Sequence, residues 1–249
     1  MLPNINDIGR YAIFPDLDGT VIDLADRPDA VGVDLSTLRL LKALSAKTDR
    51  ALAIVSGRDI AVIDRLLSPL VLPVAGVHGL QRRDANGRLC KKAPEEPGLG
   101  AIAVLIGAAI GDEPGVLIEQ KTGAVALHFR LRPDLEERCR GIIENIARRR
   151  PDLCLARGKM VFEFRRDGSD KGSVIEAFLR EPPFFGRTPI FAGDDVTDEI
   201  GFSVVNAREG ISIKIGEDST LARFGAQSVR EFRDWLGEVA GEAREERAV

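Results

Sequence analysis

Asp16-Leu17-Asp18-Gly19-Thr20 is the motif from which the fold of this 249-residue chain is predicted. It follows directly on the apolar run 11–14, which reads as a first β-strand, so two carboxylates stand at the carboxyl end of that strand. In open α/β sheets this edge is where ligands bind. An isolated Asp-Gly pair is more often a turn, in which the aspartate caps and the glycine takes a positive φ. The motif therefore indicates a site only if further chemical groups reach the same edge.

On both sides of this motif the sequence alternates strand and helix patterns, as in a parallel sheet covered by helices. The patterns predict a helix over 34–47, a strand over 50–55, a helix over 59–67, a strand over 71–75 and a small hairpin turning at 85–87. The alternation resumes with a helix over 171–179 and a strand over 189–192, and Ser228 with Glu231 predicts a capping box on the last helix. We therefore expect an α/β fold with a Rossmann-like parallel-sheet core.

A different pattern interrupts this alternation in the middle of the chain. Pro94, Pro97 and Gly98 form a joint rich in helix breakers, and the order helix, strand, strand then occurs twice between 100 and 165. That order can build one sheet covered by two helices. We predict an inserted α/β cap domain over 98–165, which divides the core into a first part, 1–97, and a second part, 166–249.

Two short segments place phosphate-binding side chains beside the predicted sheet edge. Ser56-Gly57-Arg58 ends the second strand ahead of a helix, where a hydroxyl and free backbone N–H groups can bind an anion. A Ser-Gly pair in such a loop is nevertheless more often structural. Lys171 opens a helix, although most lysines only solvate a surface. Each signal is weak alone and gains weight from the others.

A dense acidic group follows the strand 189–192. Asp194, Asp195 and Asp198 stand close together in the sequence and repel one another. Unless they are spread into solvent as helix N-caps, they call for a divalent cation. Oxygen ligands without a nearby histidine or cysteine favour Mg²⁺ over zinc. This inventory suits a phosphate monoester, whose hydrolysis needs a nucleophile, a proton donor for the leaving alkoxide and positive charge.

Taken in order, these motifs resemble those of the haloacid dehalogenase superfamily of phosphohydrolases. The resemblance implies that Asp16 is a nucleophile that forms an aspartyl-phosphate, and that Asp18 protonates the leaving oxygen and later activates water. It also implies a phosphate site of Ser56, Lys171 and Thr20, the last supporting the loop. Mg²⁺ would be bound by Asp16, the backbone carbonyl of Asp18 and Asp194, with Asp195 and Asp198 ordering the outer shell.

Within that superfamily the chain resembles the family of trehalose-6-phosphate phosphatases. The resemblance rests on Gly76-Val77-His78-Gly79, on Glu119-x-Lys121 running to His128-Phe129-Arg130, and on Gly158-Lys159 through Glu163 to Asp170-Lys171-Gly172. It implies a cap that closes over the substrate and hydrolysis of trehalose 6-phosphate to trehalose and phosphate. The sugar would be held by Glu119, Lys121, Arg130, Lys159 and Glu163, and Arg58 would also reach the substrate. Arg166 stands where the family often has proline.

Residue spacing alone leaves the role of the cap side chains open. Glu119 and Lys121 share a strand face, as do Lys159 and Glu163. A solvated face of cross-strand ion pairs is common and stabilises little. That explanation stands beside the sugar-binding one.

The composition fits a globular chain that acts on small molecules. With a formal net charge of −4, binding to nucleic acid or to an acidic membrane is not expected. No apolar run approaches the roughly 18 residues of a membrane span, and the first ten residues lack a signal pattern. The three cysteines are widely spaced and form no C-x-x-C motif, which favours reduced thiols and a cytoplasmic location. Nothing in the sequence requires a second copy of the chain.

Three other functions fit part of the sequence. A capped phosphatase for sucrose 6-phosphate, or for mannosyl- or glucosyl-3-phosphoglycerate, would share the same core chemistry. A phospho-accepting receiver-type module also combines acidic residues, a hydroxyl and a lysine on an α/β sheet. It has no need of an inserted cap or of a second acid/base aspartate. A catalytically silent binding protein is the last alternative, and no missing group recommends it.

Overall fold

A computed structural model of the chain describes residues 1–25, 27, 30–91, 97–166 and 170–241, without the side chains of Cys90, Lys91, Pro97 and Arg166. The predicted joint at Pro94 and the side chain of Arg166 lie outside this description. The strands are β1 (Tyr11–Pro15), β2 (Ile54–Val55), β3 (Val74–Gly76), β4 (Gln81–Arg83), β5 (Leu89–Lys91), β6 (Leu117–Lys121), β7 (Ala124–His128), β8 (Leu153–Gly158), β9 (Val161–Arg166), β10 (Thr188–Gly193), β11 (Ile211–Ile215) and β12 (Phe224–Ala226). The α-helices are α1 (Leu35–Lys47), α2 (Ile60–Leu67), α3 (Pro97–Ile110), α4 (Glu136–Arg149), α5 (Lys171–Phe178), α6 (Glu199–Ala207) and α7 (Val229–Ala240).

A parallel sheet forms the centre of the core. β1 pairs with β10, β10 with β11 and β11 with β12, all in parallel. On the other side of β1, the Ile13 amide donates to the Ala51 carbonyl (2.8 Å) and the Ala53 amide donates to the Ile13 carbonyl (2.9 Å), just ahead of β2. β2 pairs in parallel with β3, and the antiparallel strands β4 and β5 extend that edge. The predicted Rossmann-like core is confirmed, and β1, β2 and β10 end at one edge.

Apolar layers cover both faces of this sheet, because successive side chains of a buried strand point to opposite faces. Ile13 belongs to a cluster with Ile190 and Ile213, packed by residues of α1, α2 and α7. Phe14 belongs to the opposite cluster, with Phe191 and residues of α5 and α6. The sheet is therefore rigid where its strands end.

The inserted segment forms a second, antiparallel sheet in the order β6-β7-β9-β8. Its helices α3 and α4 cover one face, where Ile106 and Ile143 pack on Leu127 and Phe164. We call α3, α4 and β6 to β9 the cap. The predicted order of helix, strand and strand, twice over, is present, and the exact domain boundaries stay predictions. The helix-free face of this sheet turns towards the core.

Several elements differ from the predictions. The strand predicted over 50–55 shortens to β2. Arg50 has a positive φ of 70° and cannot belong to a strand, and 51–53 meet β1 only through an isolated bridge between Leu52 and Ile13. The capping box was predicted only partly correctly: Ser228 accepts from the Glu231 amide, but the Glu231 carboxylate accepts from the Gln227 amide. α6, β11 and β12 were not predicted. Within the described residues no helix is long and apolar enough to cross a bilayer.

Candidate active site

The turn after β1 brings the first motif against the end of β10. The Asp16 amide donates to the Ala192 carbonyl (2.9 Å), which extends the pairing of the two strands by one residue. Gly19 has φ of +73°, and a methyl group on it would overlap the Asp194 carboxylate. Only glycine allows both the left-handed turn and this approach. The sequence Asp-Gly-Thr therefore places Asp16 and Asp194 side by side.

Asp16, Asp194 and Asp198 form what we call the acidic cluster. One carboxylate oxygen of each lies within 4.8 Å of the others, and all three side chains are buried. The Lys171 ammonium lies 3.2 Å from Asp16 Oδ2 and 2.6 Å from Asp198 Oδ1. Asp198 Oδ2 accepts from the Asp195 amide at 2.9 Å. Both oxygens of Asp198 are thus engaged by protein donors.

The acidic cluster carries more negative charge than Lys171 balances. Burial and repulsion from Asp198 raise the pKa of Asp194 to about 7. Burial also raises the pKa of Asp16 well above its usual range, against the attraction of Lys171. Asp16 Oδ1 is buried and accepts no hydrogen bond from the described part of the chain. A divalent cation with oxygen ligands fits this arrangement, because it would supply the missing charge and bind the orphaned oxygen.

The end of β2 contributes a hydroxyl and a guanidinium to the same edge. Ser56 is buried, and its Oγ accepts from the Arg58 amide at 3.2 Å. The Arg58 guanidinium donates to both oxygens of Asp18, at 2.6 and 2.7 Å. This bidentate geometry fixes the Asp18 carboxylate beside the acidic cluster.

The cap presents buried ion pairs to the core. Lys121 Nζ lies 2.7 Å from Glu163 Oε2, and the two side chains are only 10% and 6% exposed. Burial acts to raise the pKa of Glu163, but Lys121, His78 and Arg165 together outweigh it and lower this pKa to about 2. His128 Nε2 lies 2.9 Å from Glu119 Oε2, and the carboxylate accepts a hydrogen bond when this nitrogen carries the proton. The solvated ion-pair explanation is wrong for the Lys121–Glu163 pair, which is enclosed.

One cavity between core and cap collects most of the predicted site residues. Its walls include Asp16, Asp18, Ser56, Arg58, Glu119, Lys121, Arg130, Lys159, Lys171, Asp194 and Asp195. Thr20, Glu163 and Asp198 are buried beside it but do not line it. The Thr20 hydroxyl has no hydrogen-bond partner among the described residues, and the role predicted for it stays a prediction. Arg130 donates to the Ala25 carbonyl at 2.9 Å, so it connects the cap with the loop that follows β1 in the core.

His78 is the main wall residue to which the sequence assigned no role. It follows Val77, and the two have positive φ of 47° and 52°, which is a strained conformation for a β-branched residue. The turn aims the imidazole into the cavity, with Nε2 3.4 Å from Glu163 Oε1. Burial lowers the pKa of His78 to about 3, so the ring is neutral. Only its place in the Gly76–Gly79 motif signalled it.

Lys214 and His128 were also missed. Lys214 lies on the unpredicted strand β11, is buried, and donates to the Asp194 carbonyl at 2.7 Å. It holds the loop that carries the acidic residues. His128 lines the cavity beside Glu119. Nothing in the local sequence around Lys214 distinguishes it from a surface lysine.

Comparisons with known proteins all indicate the same family. The sequence profile of the family described as trehalose-phosphatase matches residues 14–230. A protein of Escherichia coli (strain K12) named trehalose-6-phosphate phosphatase is 40% identical over 227 residues, covering 91% of this chain and 85% of that protein. A probable trehalose-phosphate phosphatase of Sinorhizobium fredii is 45% identical over 211 residues, covering 84% and 79%.

Solved structures agree with these sequence matches. A crystal structure of a trehalose-6-phosphate phosphatase related protein has a TM-score of 0.76 and 32% identity, covering 92% of this chain and 96% of its own. The C-terminal domain of the C. albicans trehalose-6-phosphate phosphatase has a TM-score of 0.83 at 21% identity, covering 94% and 93%, and supports the fold. With the profile covering most of the chain and two relatives above 30% identity, the chain belongs to the trehalose-phosphatase family.

Proposed function

We propose that this chain is a Mg²⁺-dependent phosphatase that hydrolyses trehalose 6-phosphate to trehalose and phosphate through an aspartyl-phosphate on Asp16. One observation carries the proposal: a single cavity joins the acidic cluster and Lys171 of the core to a polar, enclosed face of the cap. The core end fits a phosphate and the cap end fits sugar hydroxyls. The names of the relatives, which are trehalose-phosphate phosphatases, point to the same substrate.

Asp16 is the proposed nucleophile because it lines the cavity just beyond β1 and keeps one carboxylate oxygen without a protein donor. Its Oδ1 accepts no hydrogen bond within the described residues, while Oδ2 lies 3.2 Å from Lys171. Lys171 neutralises the carboxylate and can bind a phosphate oxygen, which lowers the repulsion between two anions. Ser56, at the end of β2, is the second proposed phosphate ligand.

Asp18 is the proposed proton donor to the leaving sugar oxygen and the later base for water. It lies two residues beyond Asp16 on the cavity wall. Arg58 holds both of its oxygens, which fixes the carboxylate in place until the substrate arrives. Arg58 can then turn to the substrate, a second role that its position on the wall supports.

Mg²⁺ would be bound by Asp16, Asp194 and the backbone carbonyl of Asp18, with Asp195 and Asp198 ordering its shell. When bound, the ion supplies positive charge that stabilises the phosphoryl group in the transition state. The engagement of both Asp198 oxygens by Lys171 and by the Asp195 amide supports an outer-shell role for Asp198. Lys214 would keep the Asp194 backbone in position.

The cap residues are proposed to bind the sugar. Glu119, Lys121, Arg130 and Lys159 line the cavity, and Glu163 lies behind Lys121. Charged groups of this kind form strong hydrogen bonds to hydroxyls when water is excluded. A cytoplasmic location completes the proposal, and the unbridged Cys139 and Cys154 are compatible with it.

The test is phosphate release, with Mg²⁺ and with EDTA, from trehalose 6-phosphate, sucrose 6-phosphate, glucose 6-phosphate and mannosyl-3-phosphoglycerate. We expect Mg²⁺-dependent release with a clear preference for trehalose 6-phosphate. A preference for another phosphate ester of this panel would leave the proposed mechanism in place and show that the substrate is wrong. Release that EDTA leaves unchanged would overturn the role of the cation.

A further inference from the structure

A tight turn of the cap lies directly on the loop that carries the acidic residues. β8 and β9 are joined by Lys159 and Met160, and Gly158 pairs with Val161 across the turn. We call Gly158-Lys159-Met160 the cap tip. It contacts the core at Asp195, whose carboxylate lies against Gly158 and beside the Lys159 amide. Lys159 itself lines the cavity, so the contact between the cap tip and Asp195 determines the position of this lysine.

Gly158 is the residue that makes this contact possible. A Cβ on Gly158 would lie 2.5 Å from Asp195 Oδ2 and 2.8 Å from Val161 Cγ1, closer than real contacts allow. The carboxylate cannot turn away freely, because its Oδ1 also accepts from the Val196 amide at 2.7 Å. A side chain at 158 therefore has to lift the tip from the loop.

Lifting the tip would disturb more than one contact. The Lys159 carbonyl accepts from Arg130 at 3.4 Å, and the Met160 carbonyl accepts from the Phe129 amide at 3.1 Å. Arg130 in turn donates to the Ala25 carbonyl of the core. The tip is thus the point where the cap, the acidic loop and the first core segment meet. A shift here would therefore disturb the contacts that hold both Lys159 and Arg130.

We propose that Gly158 is a positioning residue for the sugar phosphate: by allowing the cap tip to seat on Asp195, it holds Lys159 over the cavity and fixes the closed arrangement of the cap. The proposal rests on the proposed sugar-phosphatase function. It predicts that a methyl group at 158 impairs substrates that need the cap and spares small substrates that need only the core.

The test is Gly158→Ala, with Gly141→Ala on α4 as the matched control, because a methyl group at 141 meets nothing within 4 Å. KM and kcat are measured for the best sugar phosphate of the panel and for p-nitrophenyl phosphate, a small aryl phosphate. For Gly158→Ala we expect KM for the sugar phosphate to rise about 10-fold or more, since small misplacements of binding groups are costly. Aryl phosphate turnover should stay within about twofold of the parent chain, as should both activities of Gly141→Ala.

Two further measurements separate the possible outcomes. In an Asp195→Ala background the blocking oxygen is gone and only the contact with the Val161 methyl group remains, so Gly158→Ala should raise KM by a clearly smaller factor than it does in the parent chain. If Gly158→Ala does not fold alone, the double variant is compared with Asp195→Ala instead. Hydrogen exchange of the Lys159 amide should become about 10-fold faster or more in Gly158→Ala. An unchanged KM and exchange rate, or equal losses on both substrates, would overturn the proposal. If the parent chain hydrolyses no sugar phosphate, the proposed function is wrong. The exchange rate of the Lys159 amide then still shows whether Gly158 allows the cap tip to contact Asp195.

Discussion

At the residue scale, the balance of charge around Asp16 decides what the site can do. A buried carboxylate with one orphaned oxygen and one oxygen 3.2 Å from a buried lysine is costly to maintain in the absence of a ligand. Lys171 compensates only part of that cost, because it also pairs with Asp198, and these carboxylates raise its pKa despite burial. The arrangement is therefore poised to accept a cation and a phosphoryl group.

Replacing Asp16 with asparagine should abolish turnover. The amide would keep the shape of the side chain but lose the attacking oxygen anion, so we expect kcat to fall by about four orders of magnitude. The measurement is phosphate release under saturating Mg²⁺. Asp23→Asn, at an exposed position of the same segment, is the matched control and should keep its activity. Near-normal turnover in Asp16→Asn would contradict the nucleophile assignment.

A second prediction concerns His78 and the way in which the free energy of unfolding depends on pH. The ring faces Glu163, Lys121, Lys171 and Arg165, and burial lowers its pKa to about 3 from the usual 6.5. Between these two pH values the imidazole therefore binds a proton in the unfolded chain but not in the folded chain. Stability is full above about pH 6.5 and is lost as the pH falls towards 3.

His78→Asn should remove this loss, since asparagine also tolerates the left-handed conformation at this position. Between pH 6.5 and 4.5 the parent chain should lose about 2 kcal/mol more unfolding free energy than the variant. Urea unfolding at each pH measures the difference. Parallel curves for the two proteins would show that the histidine is not buried neutral.

At the scale of the elements, the strand order of the cap explains how its polar face forms. β7 lies between β6 and β9, and it presents Ala124 and Ala126 to the same face as Lys121 and Glu163. Because these alanines are small, the lysine and the glutamate meet across two strand spacings. Larger residues on β7 would keep them apart.

Glu163→Gln tests the proposed role of this face in substrate specificity. The glutamine keeps the size of the side chain but removes the charge that anchors Lys121, so we expect kcat/KM for trehalose 6-phosphate to fall about 100-fold. Hydrolysis of p-nitrophenyl phosphate should fall less than about threefold, because the core site is unchanged. Glu144→Gln, which breaks an exposed pair with Arg157 on the outer side of the cap, is the control. Equal losses of activity on both substrates would show that this face of the cap does not determine substrate specificity.

The strands that the sequence predicted, and those that it did not, explain how much of the fold and of the site could be predicted. The motifs at the ends of β1, β2 and β10 were recognisable because each follows a clear strand pattern, and the fold brings Asp16, Ser56 and Asp194 into one cavity. Lys214 could not be found, since β11 was not recognised and a buried lysine looks like any other in sequence. The enclosure of the Lys121–Glu163 pair depends on the cap lying against the core, which residue spacing does not determine.

At the scale of the whole molecule, the acidic cluster joins distant parts of the chain. Asp16 comes from the end of β1, Lys171 from the first turn of α5, and Asp194 from the end of β10. A cation bound there would hold the two halves of the core together across the inserted cap. Its binding free energy therefore adds to the stability of the entire fold, because the unfolded chain has no such site.

Mg²⁺ should accordingly raise the unfolding temperature. At a concentration about 100-fold above its Kd, a ligand specific for the folded state adds about 3 kcal/mol, which corresponds to roughly 5 to 10 °C for a chain of this length. Asp194→Asn removes a ligand and one repelling charge, so its metal-free form should unfold at the same temperature as the parent or higher, with at most half of the Mg²⁺ shift. Asp218→Asn, at an exposed position, should keep the full shift. Differential scanning calorimetry with EDTA and with Mg²⁺ measures all three proteins, and an equal Mg²⁺ shift in Asp194→Asn and the parent would mean that the cation binds elsewhere.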